Sequence, residues 1–112
     1  MNAQIKEKLV TALRSGKYEQ TSGTLRDGCS FCCLGVLCDI SGAGQWEDRD
    51  VYVDRPLLKQ YRMPDGNYSV QYLPSALKTQ TGLTDEVLDH LMDMNDSGKP
   101  FTVIADYIEA NL

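Results

Sequence analysis

The sequence predicts an α+β fold in a single compact domain of residues 1–112. Amphipathic stretches of helical periodicity open and close the chain, and short alternating segments with turn signals lie between them. A chain of 112 residues is long enough to bury one hydrophobic core. We therefore expect about four helices packed on a small antiparallel sheet of two to four strands.

The first helix is predicted over residues 2–15, where apolar residues recur at helical spacing: Ile5, Leu9, Ala12 and Leu13. The Asn2 side chain is suited to cap its start. Gly16 can end the helix in the left-handed conformation that favours glycine.

Residues 17–30 are polar and contain two turn signals, Ser22-Gly23 and Asp27-Gly28. This composition predicts a short hairpin or an ordered loop, with one strand near Thr24–Arg26.

All four cysteines lie in the ten-residue stretch Cys29–Cys38, which overlaps the longest apolar run of the chain. Periodicity alone does not separate a buried strand from a buried helix in such a run. We predict a helix over Phe31–Ile40, with Ser30 as its N-cap and Ser41-Gly42 as its end.

The middle of the chain is predicted to be irregular. Residues 42–50 read as a loop that carries Trp46, and two short strands are expected at Val51–Val53 and Tyr68–Tyr72. A short helix should begin at Pro74-Ser75 and end near Gly82.

The C-terminal third predicts two more helices. Thr84 caps the first, Leu83 and Leu88 are spaced as a hydrophobic staple, and residues 95–98 end it. Pro100 begins the last helix, whose apolar face is predicted to comprise Val103, Ile104, Tyr107, Ile108 and Leu112.

The charge distribution argues against generic nucleic-acid binding. The formal net charge is −5, and no Lys/Arg cluster is present to neutralise phosphates. An acidic run interrupted by Arg49 and Arg55 reads as a solvated loop in preference to a mimic of DNA; it comprises Glu47, Asp48, Asp50 and Asp54. The N-terminus lacks the apolar stretch of a signal peptide, and no segment is long enough to span a membrane. We expect a cytoplasmic protein without a membrane partner.

The cysteines admit several interpretations. A zinc site usually takes two separated ligand pairs, and a thioredoxin-like pair follows a strand of a βαβ unit; neither context surrounds Cys29-x-x-Cys32. We favour buried thiols that act as small apolar side chains. No metal or cofactor is predicted. The alternative is a cysteine-dependent hydrolase or transferase that uses Cys32 or Cys33 with His90, the only histidine.

Polar residues in loops are the candidate binding residues. The loop of residues 14–26 carries guanidinium, phenol and amide groups suited to a phosphate, a nucleobase or a protein surface: Arg14, Tyr18, Gln20 and Arg26. These groups could equally hydrogen-bond the loop's own backbone. Asn95 and Asp96 either cap helices, which we favour, or face a ligand.

Two segments, residues 12–42 and 91–112, resemble small proteins encoded by tailed phages and prophages. They read ALRSGKYEQTSGTLRDG…FCCLGVLCDISG and LMDMNDSGKPFTVIADYIEANL. The matching residues are Arg14, Gly16, Tyr18, Gln20, Cys32, Cys33, Leu34, Gly35, Asn95, Asp96 and Gly98. The resemblance implies an accessory protein that binds host factors, including antiviral defence proteins or their nucleotide messengers.

The polar loop residues predict a binding protein, and the resemblance implies that it inhibits a host protein or sequesters a small ligand, such as a nucleotide, in counter-defence. Its expected surface is the loop of residues 14–26 with Asn95 and Asp96. The aromatic residues Trp46, Tyr52, Tyr61 and Tyr68 either line an interface of a homo-oligomer or cover a core edge.

Overall fold

The computed structural model of the protein describes residues 1–49 and 57–112. Within these residues the fold is α+β, with five helices and two three-stranded sheets. All five helices lie in stretches where the sequence predicts them, one more than the expected four. Their bounds are α1 Ala3–Arg14, α2 Cys33–Ser41, α3 Ser75–Thr81, α4 Asp85–Asp96 and α5 Phe101–Asn111.

The structure has two small sheets where the sequence predicts one, and only the second sheet is antiparallel throughout. The first sheet has the order β1-β3-β2, where β1 is Glu19–Gln20, β2 is Arg26–Asp27 and β3 is Ser30–Phe31. Its β1 and β3 are parallel, because β3 returns from the β2 hairpin and inserts between the two earlier strands. The second sheet is antiparallel with the order β4-β5-β6, at Gln45–Asp48, Lys59–Arg62 and Tyr68–Ser69.

Local signals position the helix ends. The Asn2 carboxamide accepts hydrogen bonds from the N–H groups of Gln4 and Ile5, and the Thr84 hydroxyl accepts one from Val87, as predicted. The predicted Ser30 cap of α2 is wrong. Ser30 lies in β3, where it pairs with Asp27 of β2. Cys32 caps the helix instead, and its sulfur accepts a hydrogen bond from the Gly35 N–H at 3.3 Å.

The loop predicted over residues 42–50 is wrong in its central part. The residues of β4 pair with β5, and this pairing places the indole of Trp46 opposite Tyr61. The strand predicted at Tyr68–Tyr72 is limited to its first two residues. The strand predicted at Val51–Val53 lies outside the described residues.

One core cluster joins α1, α2 and α5 and also takes side chains from α3 and α4. Ile104 and Ile108 are fully buried. Val103, predicted on the same face, is 41% exposed and so does not belong to the buried face of α5. In the part of the chain that the structure describes, no helix combines the length and apolar character needed to cross a bilayer.

Candidate functional site

A small cleft lies where the start of α2, the end of α4 and the segment after β6 meet. The Val70 carbonyl oxygen accepts two hydrogen bonds that fix the segment after β6. The Leu25 N–H donates one at 2.7 Å, and the Thr24 hydroxyl donates the other at 3.1 Å. The cleft has a volume of about 200 Å³. We call it the Asp96 cleft, and its lining comprises Gly23, Thr24, Cys32, Cys33, Gln71, Tyr72, Met92, Asn95 and Asp96.

Asn95 lies at the base of the Asp96 cleft and is 2% exposed. Its carboxamide oxygen accepts two hydrogen bonds, from the Cys33 N–H at 3.1 Å and from the Gln20 side-chain amide at 3.0 Å. Its nitrogen donates to the Thr21 carbonyl oxygen at 2.8 Å. The side chain therefore ties the loop after β1 to the start of α2. The predicted capping role of Asn95 and Asp96 is wrong, because both lie inside α4, Ser97 is the C-cap of that helix and Pro100 precedes α5.

Asp96 and Gln20 complete this tether. An Asp96 carboxylate oxygen accepts the Gly23 N–H at 3.1 Å, and the Gln20 amide donates to the Lys99 carbonyl oxygen at 2.8 Å. Asp96 is exposed, however, and borders the cleft. Of the six predicted binding residues, the structure brings Gln20, Asn95 and Asp96 together.

Two thiols line the cleft from below. Burial raises the pKa of Cys32 to about 11, although the backbone N–H groups of Gly35 and Leu34 oppose the shift. Burial likewise raises the pKa values of Cys33 and Cys38. The prediction of buried thiols is confirmed for these three residues and wrong for Cys29, which is exposed in the β2–β3 turn.

Tyr18 belongs to a separate group of rings, which we call the aromatic row, and Arg26 lies against it. The row comprises Tyr18, Phe31, Trp46 and Tyr61, whose neighbouring ring centroids lie 4.8–5.8 Å apart. The Arg26 guanidinium lies 4.8 Å from the Phe31 ring centroid and donates to the Gly28 carbonyl oxygen at 2.7 Å. Tyr61 is 1% exposed. Tyr61 and Phe31 thus belong to the core, and Tyr18 and Trp46 pack against it as partly buried rings.

Asp39, which sequence reasoning missed, fixes this row. Its two carboxylate oxygens accept the Tyr18 hydroxyl at 2.6 Å and the Trp46 indole N–H at 3.0 Å. Burial, followed by the hydrogen bond to Asp39, raises the pKa of Tyr18 to about 12.

Arg14 lies apart from both groups. Its guanidinium bonds Asp106 and Glu109 of α5, each at 2.7 Å. It lines one of two grooves, of about 570 and 580 Å³, that flank α1. Both grooves carry charges of both signs: Glu7 lines both, with Lys6 in the first and Lys8 and Lys17 in the second.

In the alternative of a cysteine-dependent enzyme, His90 would act as the base for Cys32 or Cys33, but the contacts of His90 and Cys33 are with other residues. The His90 ring packs on Tyr107 of α5 at 4.8 Å between centroids, while the Cys33 thiol donates to the Leu91 carbonyl oxygen. Across residues 1–49 and 57–112, no group of three or more His, Cys, Asp or Glu residues is arranged to hold a metal ion.

Gln71 and Tyr72 line the Asp96 cleft, and sequence reasoning assigned both to a strand. Tyr72 is 62% exposed, so its ring is accessible at the border of the cleft. The alternation of residues 68–72 is typical of a strand, and only tertiary contacts show that the strand ends before these two positions.

The fold and the site define a small α+β protein with a side-chain-sized cleft above buried thiols. The chain belongs to the DUF8296 family, a domain of unknown function whose family model matches residues 1–112. No curated protein and no solved structure is significantly similar to it.

Proposed function

We propose that the protein is a non-enzymatic, phage-type accessory protein that binds a host protein through the surface around the Asp96 cleft and inhibits it. The observation that carries the proposal is the cleft itself, which combines an exposed aromatic ring with a rigid base. Exposed aromatic residues beside a concave site are typical anchors of protein interfaces.

The volume of the cleft favours a protein partner over a nucleotide. Pockets for ligands of drug size measure about 300–1,000 Å³, whereas this cleft measures about 200 Å³ and suits one amino-acid side chain. The predicted phosphate-binding cations are also engaged elsewhere. Arg14 pairs with two carboxylates, and Arg26 bonds a carbonyl oxygen and lies over an aromatic ring.

The chemistry of the thiols favours binding over catalysis. A nucleophilic cysteine requires an accessible thiolate near neutral pH, usually with an adjacent base. Burial raises the pKa of Cys32 to about 11 and raises that of Cys33, while the His90 ring packs on Tyr107. These contacts do not favour the alternative hydrolase or transferase.

The role of inhibitor in counter-defence rests on the resemblance to proteins of tailed phages and prophages. The partner would be a bacterial host protein, and the accessory protein would act in the host cytoplasm. A sponge for nucleotide messengers is the second form of this proposal, and the small acidic cleft makes it the less favoured one.

Photo-crosslinking in the host cell tests the proposal. The photoreactive residue p-benzoylphenylalanine replaces Gln71 in the cleft or, as a control, the exposed Ala110 near the end of α5. We expect one host protein to crosslink from position 71 and not from position 110. Tyr72→Ala should abolish this crosslink. Tyr68→Ala should retain it, because Tyr68 is 52% exposed but does not line the cleft.

Two results would contradict the proposal. The first is a crosslink pattern that Tyr72→Ala leaves unchanged. The second is purified protein that retains one equivalent of a nucleotide, detected by native mass spectrometry, which would favour the sponge.

A further inference from the structure

Asp96 is the charged side chain of the Asp96 cleft. The other lining residues are uncharged at neutral pH, including the buried thiols of Cys32 and Cys33. A group that enters the cleft therefore meets a single negative charge in a partly desolvated space. Such a site favours a cation and disfavours a phosphate.

The Asp96 carboxylate is fixed in place and retains an available oxygen. Its Oδ1 atom accepts the Gly23 N–H at 3.1 Å. Its Oδ2 atom has no hydrogen-bond partner among residues 1–49 and 57–112. One oxygen therefore positions the group, and the other can accept a charge-assisted hydrogen bond from a bound cation.

Tyr72 and Gln71 supply two further groups to the same cleft. The Tyr72 side chain is 62% exposed, and an aromatic face attracts a guanidinium or ammonium group. The carboxamide oxygen of Gln71 is a neutral acceptor. A carboxylate, an aromatic ring and an amide around one small cleft are the groups that recognise a basic side chain.

The helix that carries Asp96 extends the negative field beyond the cleft. Helix α4 contains no Lys or Arg, and its exposed residues include Asp85, Glu86, Asp89 and Asp93. The helix thus carries five acidic side chains and no lysine or arginine; Lys78 of α3 pairs with Asp85 at its far end, and Lys99 follows the helix. A surface of this sign steers a basic partner toward the cleft.

We infer that the Asp96 cleft receives an arginine or lysine side chain of the partner protein. This inference rests on the proposed function and specifies the chemistry of the partner, a basic surface segment. The cation contacts the free Asp96 oxygen and the Tyr72 ring, and the aliphatic stem of the side chain lies against Met92.

A titration followed by ¹⁵N NMR tests the inference with the peptide acetyl-Gly-Arg-Gly-amide. Its neutral twin carries citrulline, which matches the shape of arginine without the charge. We expect saturable shifts at Gly23, Gln71, Tyr72 and Asp96. An exposed ion pair changes an equilibrium constant by up to about fivefold, so citrulline should bind more weakly by a factor of up to about five.

Two variants separate a specific contact from the general field of the acidic helix. Asp96→Asn keeps an acceptor for the Gly23 N–H and should weaken the arginine peptide about fivefold, without changing the affinity of the citrulline peptide. Asp89→Asn removes the same charge from the same helix outside the cleft, and should change the arginine affinity by less than about twofold.

The outcomes distinguish the two proposals. Equal affinities for both peptides at the cleft, or equal losses in the two variants, would overturn the preference for a basic side chain and leave the crosslinking result standing. Shifts confined to other surfaces would overturn the inference as well. If no host protein crosslinks from position 71, the proposed function is contradicted, whereas the preference of the cleft for a basic side chain is still decided by the two peptides.

Discussion

Asn95 has a structural role that neither of its two predicted uses describes. From the sequence, Asn95 is a helix cap or a ligand-facing group, since both uses suit an Asn near a helix end. The structure buries it and links it to Thr21, Gln20 and Cys33, which are 62–75 positions away in the chain. Such distant partners leave no local pattern, so the sequence alone could not identify this tether.

Substitution of Asn95 should destabilise the protein strongly. Asn95→Ala leaves the buried Cys33 N–H and the Thr21 carbonyl oxygen without their partners. We expect the free energy of unfolding to fall by about 3 kcal/mol, because each buried polar group that loses its partner costs about 1–3 kcal/mol. Urea denaturation followed by circular dichroism measures this change.

The matched control is Asn111→Ala. Asn111 is exposed and donates one hydrogen bond to the Tyr107 carbonyl oxygen of its own helix. Its replacement should change the free energy of unfolding by less than about 0.5 kcal/mol, as expected of an ordinary surface position. Similar small losses in both variants would show that Asn95 is not the tether of the loop.

Helices were predictable element by element because their signals are local. The Thr84 cap, the glycines at 42 and 82, and the Asn2 cap each act within a few residues, and all lie where the sequence places them. The strands are two to four residues long and depend on pairing between distant segments. For this reason β4 and β5 were missed.

Of the nine glycines, Gly35 of α2 leaves the least room for a side chain. A Cβ atom there would lie 1.9 Å from the Leu25 carbonyl oxygen, which accepts the Cys32 N–H. Gly35→Ala must therefore displace α2 from the segment that borders the Asp96 cleft. We expect the free energy of unfolding to fall by about 3 kcal/mol, the upper range for overpacking a core. Thermal and urea denaturation measure the loss.

Gly16→Ala is the control for glycine replacement without a steric clash. Gly16 has a φ of 74°, and no atom lies within 4 Å of an added Cβ. Only the left-handed backbone should contribute, at about 1 kcal/mol. If Gly35→Ala costs no more than Gly16→Ala, the contact between α2 and Leu25 is looser than the structure shows.

On the scale of the whole molecule, the predicted binding surface is divided among three places. Arg14 pairs with α5, Tyr18 and Arg26 join the aromatic row, and Gln20, Asn95 and Asp96 meet at the cleft. These residues are close in sequence but lie in different elements: Arg14 ends α1, Tyr18 precedes β1, Gln20 lies in β1 and Arg26 in β2. Loop composition therefore predicted polar contacts without predicting their grouping.

The buried thiols and Tyr18 should make the whole fold sensitive to alkali. Burial raises the pKa of Cys32 from 9.0 to about 11 and that of Tyr18 from 10.0 to about 12. Between each pair of values the unfolded chain loses a proton that the folded chain retains. The free energy of unfolding should therefore be constant with respect to these groups below pH 9 and fall as pH rises from about 9 to about 12.

Tyr18→Phe isolates the part of this slope that belongs to the phenol. In urea denaturation under reducing conditions, the variant should lose less stability than the wild type between pH 10 and about 12. Tyr72→Phe removes the same hydroxyl from an exposed ring and is the control. Because the Tyr18 hydroxyl also bonds Asp39, the variant can be less stable at neutral pH, and the comparison uses the slope with pH. Parallel curves for Tyr18→Phe and the wild type across this range would contradict the raised pKa of Tyr18 and its partly buried position in the aromatic row.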